Sequence, residues 1–143
     1  MIGYFDTSAV VPLVIAEDSS ARCAQVWQEC DVRVSSVIVV AEAHAALAMA
    51  LRLGRLSIAQ HREAVKLLNC RIAELDLVIV NREIVDKAAA LTVQYALRGY
   101  DAVHAASVLA LADATAVGIS GDQALLAALK QLGIATVDTN SSR

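Results

Sequence analysis

Aromatic side chains are scarce in this chain: one Trp, one Phe and three Tyr make up 3 % of 143 residues. A core built on stacked rings is excluded. It must come from Ala, Val, Leu and Ile, which the 57 % hydrophobic content supplies. No apolar run approaches the roughly 18 residues that indicate a membrane span. The longest candidate, around residues 37–51, is interrupted by Glu42 and His44. No basic leader followed by a long apolar segment opens the chain, so no signal peptide is expected. Cysteine occurs three times, as Cys23, Cys30 and Cys70. An odd number without metal-type spacing argues against a disulfide framework or a zinc cluster, and points to a reduced, cytoplasmic protein. Repeats, linkers and low-complexity segments are missing too. The length suits one domain, residues 1–143, around one core.

The formal net charge is −3, with 15 acids against 12 Lys and Arg. A nucleic-acid binder with a generally basic surface is disfavoured on that count. The bases are unevenly placed, however. Arg52, Arg55, Arg62, Lys66 and Arg71 fall in one stretch, opposed only by Glu63. Such a run is ordinarily a solvated helix face. As a local basic rim it would also suit a polyanion.

What is present in quantity is alternation. Short apolar runs at residues 2–5, 32–36, 77–80, 116–120 and 135–138 read as buried strands. Between them lie helical patterns: 19–30, about 37–53, about 57–74, 82–97, 101 to about 112, and 122–132. Ser35 or Ser36, Ser57, Asn81, Asp101 and Asp122 are the expected helix starts. Gly54 and Gly99 are expected breaks, and Pro12 is tolerated early in the short helix that "DTSA" begins. Continuous apolar strands alternating with helices predict a parallel sheet covered on both faces, a three-layer α/β/α sandwich. Ligands of such sheets bind at the carboxyl ends of strands, where strand order reverses.

Four acids stand out against that frame. Asp6 directly follows the first strand, and Asp122 follows the fourth after one glycine. Asp101 is the lone acid of the apolar "LRGYDAVHAAS". Each suits a helix N-cap, a position that also points a carboxylate into the crevice. Glu42 lies on a helical line with Ile38, Val39, Ala45, Ala46, Met49 and Leu53. A carboxylate on an apolar stripe must be paired, protonated or bound to a cation, unless it turns outward with His44. Four converging carboxylates without basic partners would repel one another, and a divalent cation would relieve that. Oxygen-only ligands suit Mg²⁺ or Mn²⁺ rather than zinc. His44, His61 and His104 form no ligand motif, and His104 reads as a hydrogen-bonded structural residue. Thr7, Ser8 and Ser120 flank the acids, where they could orient a ligand or cap a helix.

"IGYFDTSAVV" with Asp6, "SSVIVVAEAHAAL" with Glu42, "LRGYDAVHAAS" with Asp101 and "GISGDQALLAALKQLGI" with Asp122 together resemble a PIN domain. More narrowly they resemble the VapC toxins of bacterial type II toxin–antitoxin systems. The resemblance spans essentially the whole chain, and "YDAVHAAS" is its most specific piece. It implies a Mg²⁺- or Mn²⁺-dependent endoribonuclease, a homodimer, and a VapB-like antitoxin whose tail blocks the acidic pocket. Asp6 and Asp101 would be the main metal ligands. Glu42 and Asp122 would complete the pocket directly or through water, and metal-activated water would attack an RNA phosphodiester. Helices 37–53 and 57–74 would offer dimer or antitoxin contacts, and the basic run would line the approach of RNA. Single-domain length favours a toxin over a housekeeping nuclease.

Two other classes fit less well. A haloacid dehalogenase-like phosphatase also begins with a strand and an Asp, but resembles Asp-x-Asp there, and position 8 is Ser. A non-catalytic binding module would leave the acids as caps and the basic helices as its binding surface.

Overall fold

The computed structural model describes residues 1–141. Five strands form one all-parallel sheet: β1 (Ile2–Phe5), β2 (Val32–Ser36), β3 (Asp76–Val78), β4 (Ala116–Ser120) and β5 (Ala135–Asp138). Their order is β3-β2-β1-β4-β5. The chain steps outward from β1 to β3, then returns to lay β4 on the other side of β1. Strand order therefore reverses at β1, and Tyr4 lies in register with Val34 on one side and Gly118 on the other.

Right-handed crossovers in opposite directions place helices on opposite faces. α1 (Thr7–Val10), a 3-10 turn (Val11–Leu13), α2 (Ser20–Glu29), α3 (Val39–Arg52) and α4 (Ile58–Ala73) cover one face. α5 (Arg82–Tyr95), α6 (Gly99–Ala110) and α7 (Gln123–Gln131) cover the other. The expected three-layer α/β/α sandwich is what forms. Each face has its own core. Phe5, Val10, Val26, Trp27, Val39, Leu47, Leu68 and Ile119 pack under the first layer. Tyr4, Val34, Ile84, Leu91, Ala105, Leu125 and Leu129 pack under the second. Period-2 alternation along β1 sends Tyr4 one way and Phe5 the other.

Small side chains allow the close packing that the shortage of rings demands. A Cβ on Gly118 would stand 2.5 Å from Leu129 Cδ1, so this glycine lets α7 settle directly on β4. The single indole, Trp27, is enclosed. Phe5 tilts against it with ring centroids 4.8 Å apart, Arg33 and Arg71 lie over it, and its Nε1 donates to Glu74 at 3.2 Å.

Several boundaries differ from those expected. The third strand is Asp76–Val78 rather than residues 77–80. It is an edge strand, so pairing with β2 alone sets its end. The fifth helix stops at Tyr95, where Ala96 adopts the left-handed conformation at φ 52°. Gly99 is therefore not the break but the first residue of α6. α3 starts at Val39 after Ile38, with no side-chain cap from Ser35 or Ser36. Ser57, Asn81 and Asp122 do cap their helices.

Leu47 is fully buried between α3 and the sheet. Leu47→Ala should cost about 2–5 kcal/mol. Thermal unfolding should show Tm lowered by roughly 6–15 °C.

Candidate active site

The carboxyl ends of β1 and β4 straddle the point where strand order reverses. A cavity of about 430 Å³ opens there. Asp6, Glu42, Asp101 and Asp122 all line it, with Thr7, Ser8, Glu17, Arg98 and His104. All four sequence-predicted acids are thus brought to one place, each at the amino end of a helix, where the dipole favours negative charge.

Each reaches it differently. Asp6 ends β1 and caps α1; it is 4 % exposed. Its Oδ1 accepts from Ser8 Oγ at 2.7 Å and from the Ala9 N–H at 3.2 Å. Asp122 caps α7, with Oδ1 accepting from the Leu125 N–H at 2.9 Å. Its loop is pinned despite Gly121. The Gly121 N–H donates to Ser8 Oγ at 2.7 Å, and its carbonyl accepts from Asn140 at 2.9 Å. Glu42 turns inward from the first turn of α3, away from His44. Its Oε1 accepts from Thr7 Oγ1 at 2.6 Å and His104 Nε2 at 2.7 Å. In Asp6 and Glu42, hydrogen bonds from helix or fold engage one oxygen, which leaves the other for the cavity; in Asp122 the second oxygen meets Arg98. Capping and lining a site are therefore compatible here.

Asp101 departs from expectation. It lies inside the first turn of α6 rather than at its cap, a position held by Arg98. The reason is the early start of α6 at Gly99. Asp101 Oδ2 instead accepts from Arg98 Nε at 2.9 Å. The same guanidinium donates from Nη2 to Asp122 Oδ2 at 3.2 Å. The acids do have a basic partner. Sequence reasoning missed it because Arg98 meets Asp122 across 24 positions, a contact that no spacing reveals. Glu17, in an irregular stretch before α2, is a further lining carboxylate without a sequence signal. None of the five bases of the run 52–71 lines this cavity. Arg55 reaches its margin by pairing with Glu17 at 3.8 Å, while Lys66 pairs with Glu63 and Arg71 with Glu74. His104 is 2 % exposed and hydrogen-bonded, as the sequence reading expects.

The electrostatics separate the acids. Burial pushes the Asp6 carboxyl above its ordinary value, against opposition from His104 and from hydrogen bonds of Ser8, Ser120 and the Ala9 N–H. Burial acts the same way on Glu42. There the hydrogen bonds from His104 and Thr7, with the charges of His104 and Arg98, outweigh it and hold the carboxyl below the usual range. Arg98 is raised by its hydrogen bond and attraction to Asp101 and by Asp122.

The donor set is all oxygen, which suits a hard divalent cation. Imidazole is unavailable because His104 Nε2 is engaged with Glu42, and the buried thiols Cys23 and Cys30 lie among the core and outside the cavity lining. Among the described residues no three His, Cys, Asp or Glu already stand at metal-ligand spacing. The guanidinium between Asp101 and Asp122 is the positive charge of this conformation. The residues fit a divalent cation by donor type, and Arg98 is what a cation would compete with.

A family model described as PIN domain matches residues 3–123. Ribonuclease VapC45 of Mycobacterium tuberculosis (strain CDC 1551 / Oshkosh) is 36 % identical over 110 residues, 77 % of this chain and 76 % of that protein. PAE2754 from Pyrobaculum aerophilum superposes with a TM-score of 0.71 at 22 % identity, covering 96 % of this chain and 84 % of that one. A chain of a toxin–antitoxin complex from Klebsiella pneumoniae superposes at 0.67 and 16 % identity, covering 98 % and 99 %.

The buried Asp6 sets a pH dependence. Its folded carboxyl holds the proton more tightly than the unfolded one, whose ordinary value is 3.8. Ionised Asp6 therefore costs stability above the folded value, and the cost fades as pH falls towards and below 3.8. Asn caps as well as Asp. In chelator at pH 7, Asp6→Asn should melt above wild type. Melting curves should converge near about pH 3, where both proteins are neutral at this position.

Proposed function

The chain belongs to the PIN-domain family, and within it to the VapC ribonucleases; from that premise we propose that its acidic cavity cleaves RNA with a divalent cation held by Asp6, Glu42, Asp101 and Asp122. The protein is an endoribonuclease of the toxin–antitoxin class. The observation that carries the site assignment is the convergence of four carboxylates on one cavity at the switch point of the sheet. Residues 1–143 are read as one such domain.

Asp6 and Asp101 are the main ligands in this reading, with Glu42 and Asp122 acting directly or through water. When bound, Mg²⁺ or Mn²⁺ makes water a better nucleophile at neutral pH and offsets the charge growing on the phosphate. The protein supplies the rest. Oδ1 of Asp6, Oε1 of Glu42 and Oδ1 of Asp122 are tied to the fold, which aims their second oxygens. Glu42 is ready as an anion, since its hydrogen bonds keep it ionised. Arg98 is the base that lines the cavity, and it offers a charge for the phosphodiester once its carboxylates are engaged elsewhere.

A VapB-like antitoxin is the proposed partner, supported by the toxin–antitoxin complex among the structural neighbours. A groove of about 610 Å³, separate from the cavity and lined by Val14, Ile15, Leu56, Ala64 and Leu67 between the 3-10 turn, α3 and α4, lies on the two helices read as offering dimer or antitoxin contacts. Among the described residues no helix is long and apolar enough to cross a membrane. Free thiols and an RNA substrate support a cytoplasmic site of action in this reading.

Cleavage of total RNA in Mg²⁺, followed by gel, tests this reading. Chelator should abolish cleavage, and Asp101→Asn should slow it by at least about 100-fold, about 2.7 kcal/mol of barrier. Full activity in chelator would sink it. A second expectation concerns the competing cation. Arg98→Gln should bind Mn²⁺ more tightly than wild type by roughly two- to tenfold in calorimetry, because exposed ion pairs are weak but must be broken. Weaker binding would show that Arg98 supports the metal site rather than competing with it.

A further inference from the structure

His104 is 2 % exposed where it borders the cavity, and its ring is held at both nitrogens. Nε2 lies 2.7 Å from Glu42 Oε1, and Nδ1 lies 2.9 Å from the Tyr4 hydroxyl. An ionised carboxylate can only accept, so Nε2 carries the hydrogen. Nδ1 faces the Tyr4 hydroxyl at hydrogen-bond distance, so the ring is fixed from its other side as well. Tyr4 and His104 also meet edge-on, with centroids 5.9 Å apart and planes at 76°, which fixes the ring plane. Thr7 shares the load, donating to the same Glu42 oxygen at 2.6 Å.

The chain of contacts crosses three elements that each carry an acid of the cavity. Tyr4 and Asp6 are two residues apart at the end of β1, His104 and Asp101 are three apart on α6, and Glu42 is on α3. We propose that His104 is a positioning residue of the cleavage site. It acts through Glu42, anchoring Oε1 so that Oε2 alone faces the cavity, with Tyr4 setting its ring. This rests on the reading of Glu42 as part of the metal site. Groups that orient ligands from behind typically change metal affinity by 10–100-fold when removed.

The test is calorimetric titration of Mn²⁺ alone into wild type, His104→Leu, His104→Gln, Tyr4→Phe, Glu42→Gln and the double variant His104→Leu/Glu42→Gln, each checked by thermal unfolding. His104→Leu should lose about tenfold or more in Mn²⁺ affinity. His104→Gln, which keeps an N–H towards Glu42, should recover most of that loss. Tyr4→Phe should lose less than His104→Leu, because the imidazole stays. In the Glu42→Gln background, His104→Leu should lose nothing further, as expected for a residue acting through its neighbour. A His104→Leu protein that melts lower but binds Mn²⁺ like wild type would overturn the proposal and leave His104 as packing. Additive losses with Glu42→Gln would overturn it as well. If His104→Leu does not fold, His104→Gln and Tyr4→Phe carry the test, and unchanged affinity in Tyr4→Phe together with loss in His104→Gln would overturn it. Unchanged affinity in Glu42→Gln marks a different failure: Glu42 then lies outside the metal site, and the reading beneath this proposal falls with it.

Discussion

Parallel pairing of β1 on both of its edges is the constraint on which the site depends. A strand flanked by β2 and β4 must be apolar on both faces, so "IGYF" spends its residues on two cores. The first polar position after it is Asp6, which emerges where the order of strands reverses. The acid is there because the sheet opens there. The same pairing brings β4 and its following acid, Asp122, to the opposite lip of the cavity. Helices from the two outer layers then supply Glu42 and Asp101 from above and below. Chain positions far apart converge because two crossovers of one handedness run in opposite directions.

Such a cavity is electrostatically costly, and the protein meets the cost in three ways. Amino ends of helices face it, hydrogen bonds from Ser8, Thr7, His104 and backbone amides engage one oxygen of an acid, and Arg98 lies between two of the four carboxylates. The devices are unequal. Glu42 is well supported and stays ionised, while Asp6, the most enclosed, remains strained by its burial. A ligand that is itself positive would gain most from the least supported acid.

Much of this was legible in the residues. Short apolar runs alternating with helical patterns marked the three-layer sandwich, and strand-then-acid spacing marked Asp6 and Asp122. Glu42 was legible only as a dilemma, since an acid on an apolar stripe can turn either way; Thr7 and His104 decide it. Asp101 was placed at the right site for the wrong local reason, because a residue that looks like a cap lies inside a helix begun two residues earlier, at Gly99. Arg98 was illegible. It looks like an ordinary solvated base before a glycine, and its meaning comes from Asp122, brought close by β4 and α7. Glu17 was hidden in the same way, in a stretch without periodicity. Edge strand β3 was misjudged because its ends depend on a neighbour, not on its own apolar residues.

The shortage of rings has an optical consequence. Trp27 is the single indole of the chain, and it sits entirely in the layer of α1–α4, against Phe5 and beneath Arg33 and Arg71. Its emission reports on that half of the molecule alone. The rings of Tyr4 and Tyr95 belong to the α5–α7 side. Excitation selective for the indole thus isolates one face of the sheet, and its coincidence with, or separation from, the loss of helical circular dichroism of the whole chain would reveal whether the two cores melt as a single cooperative unit.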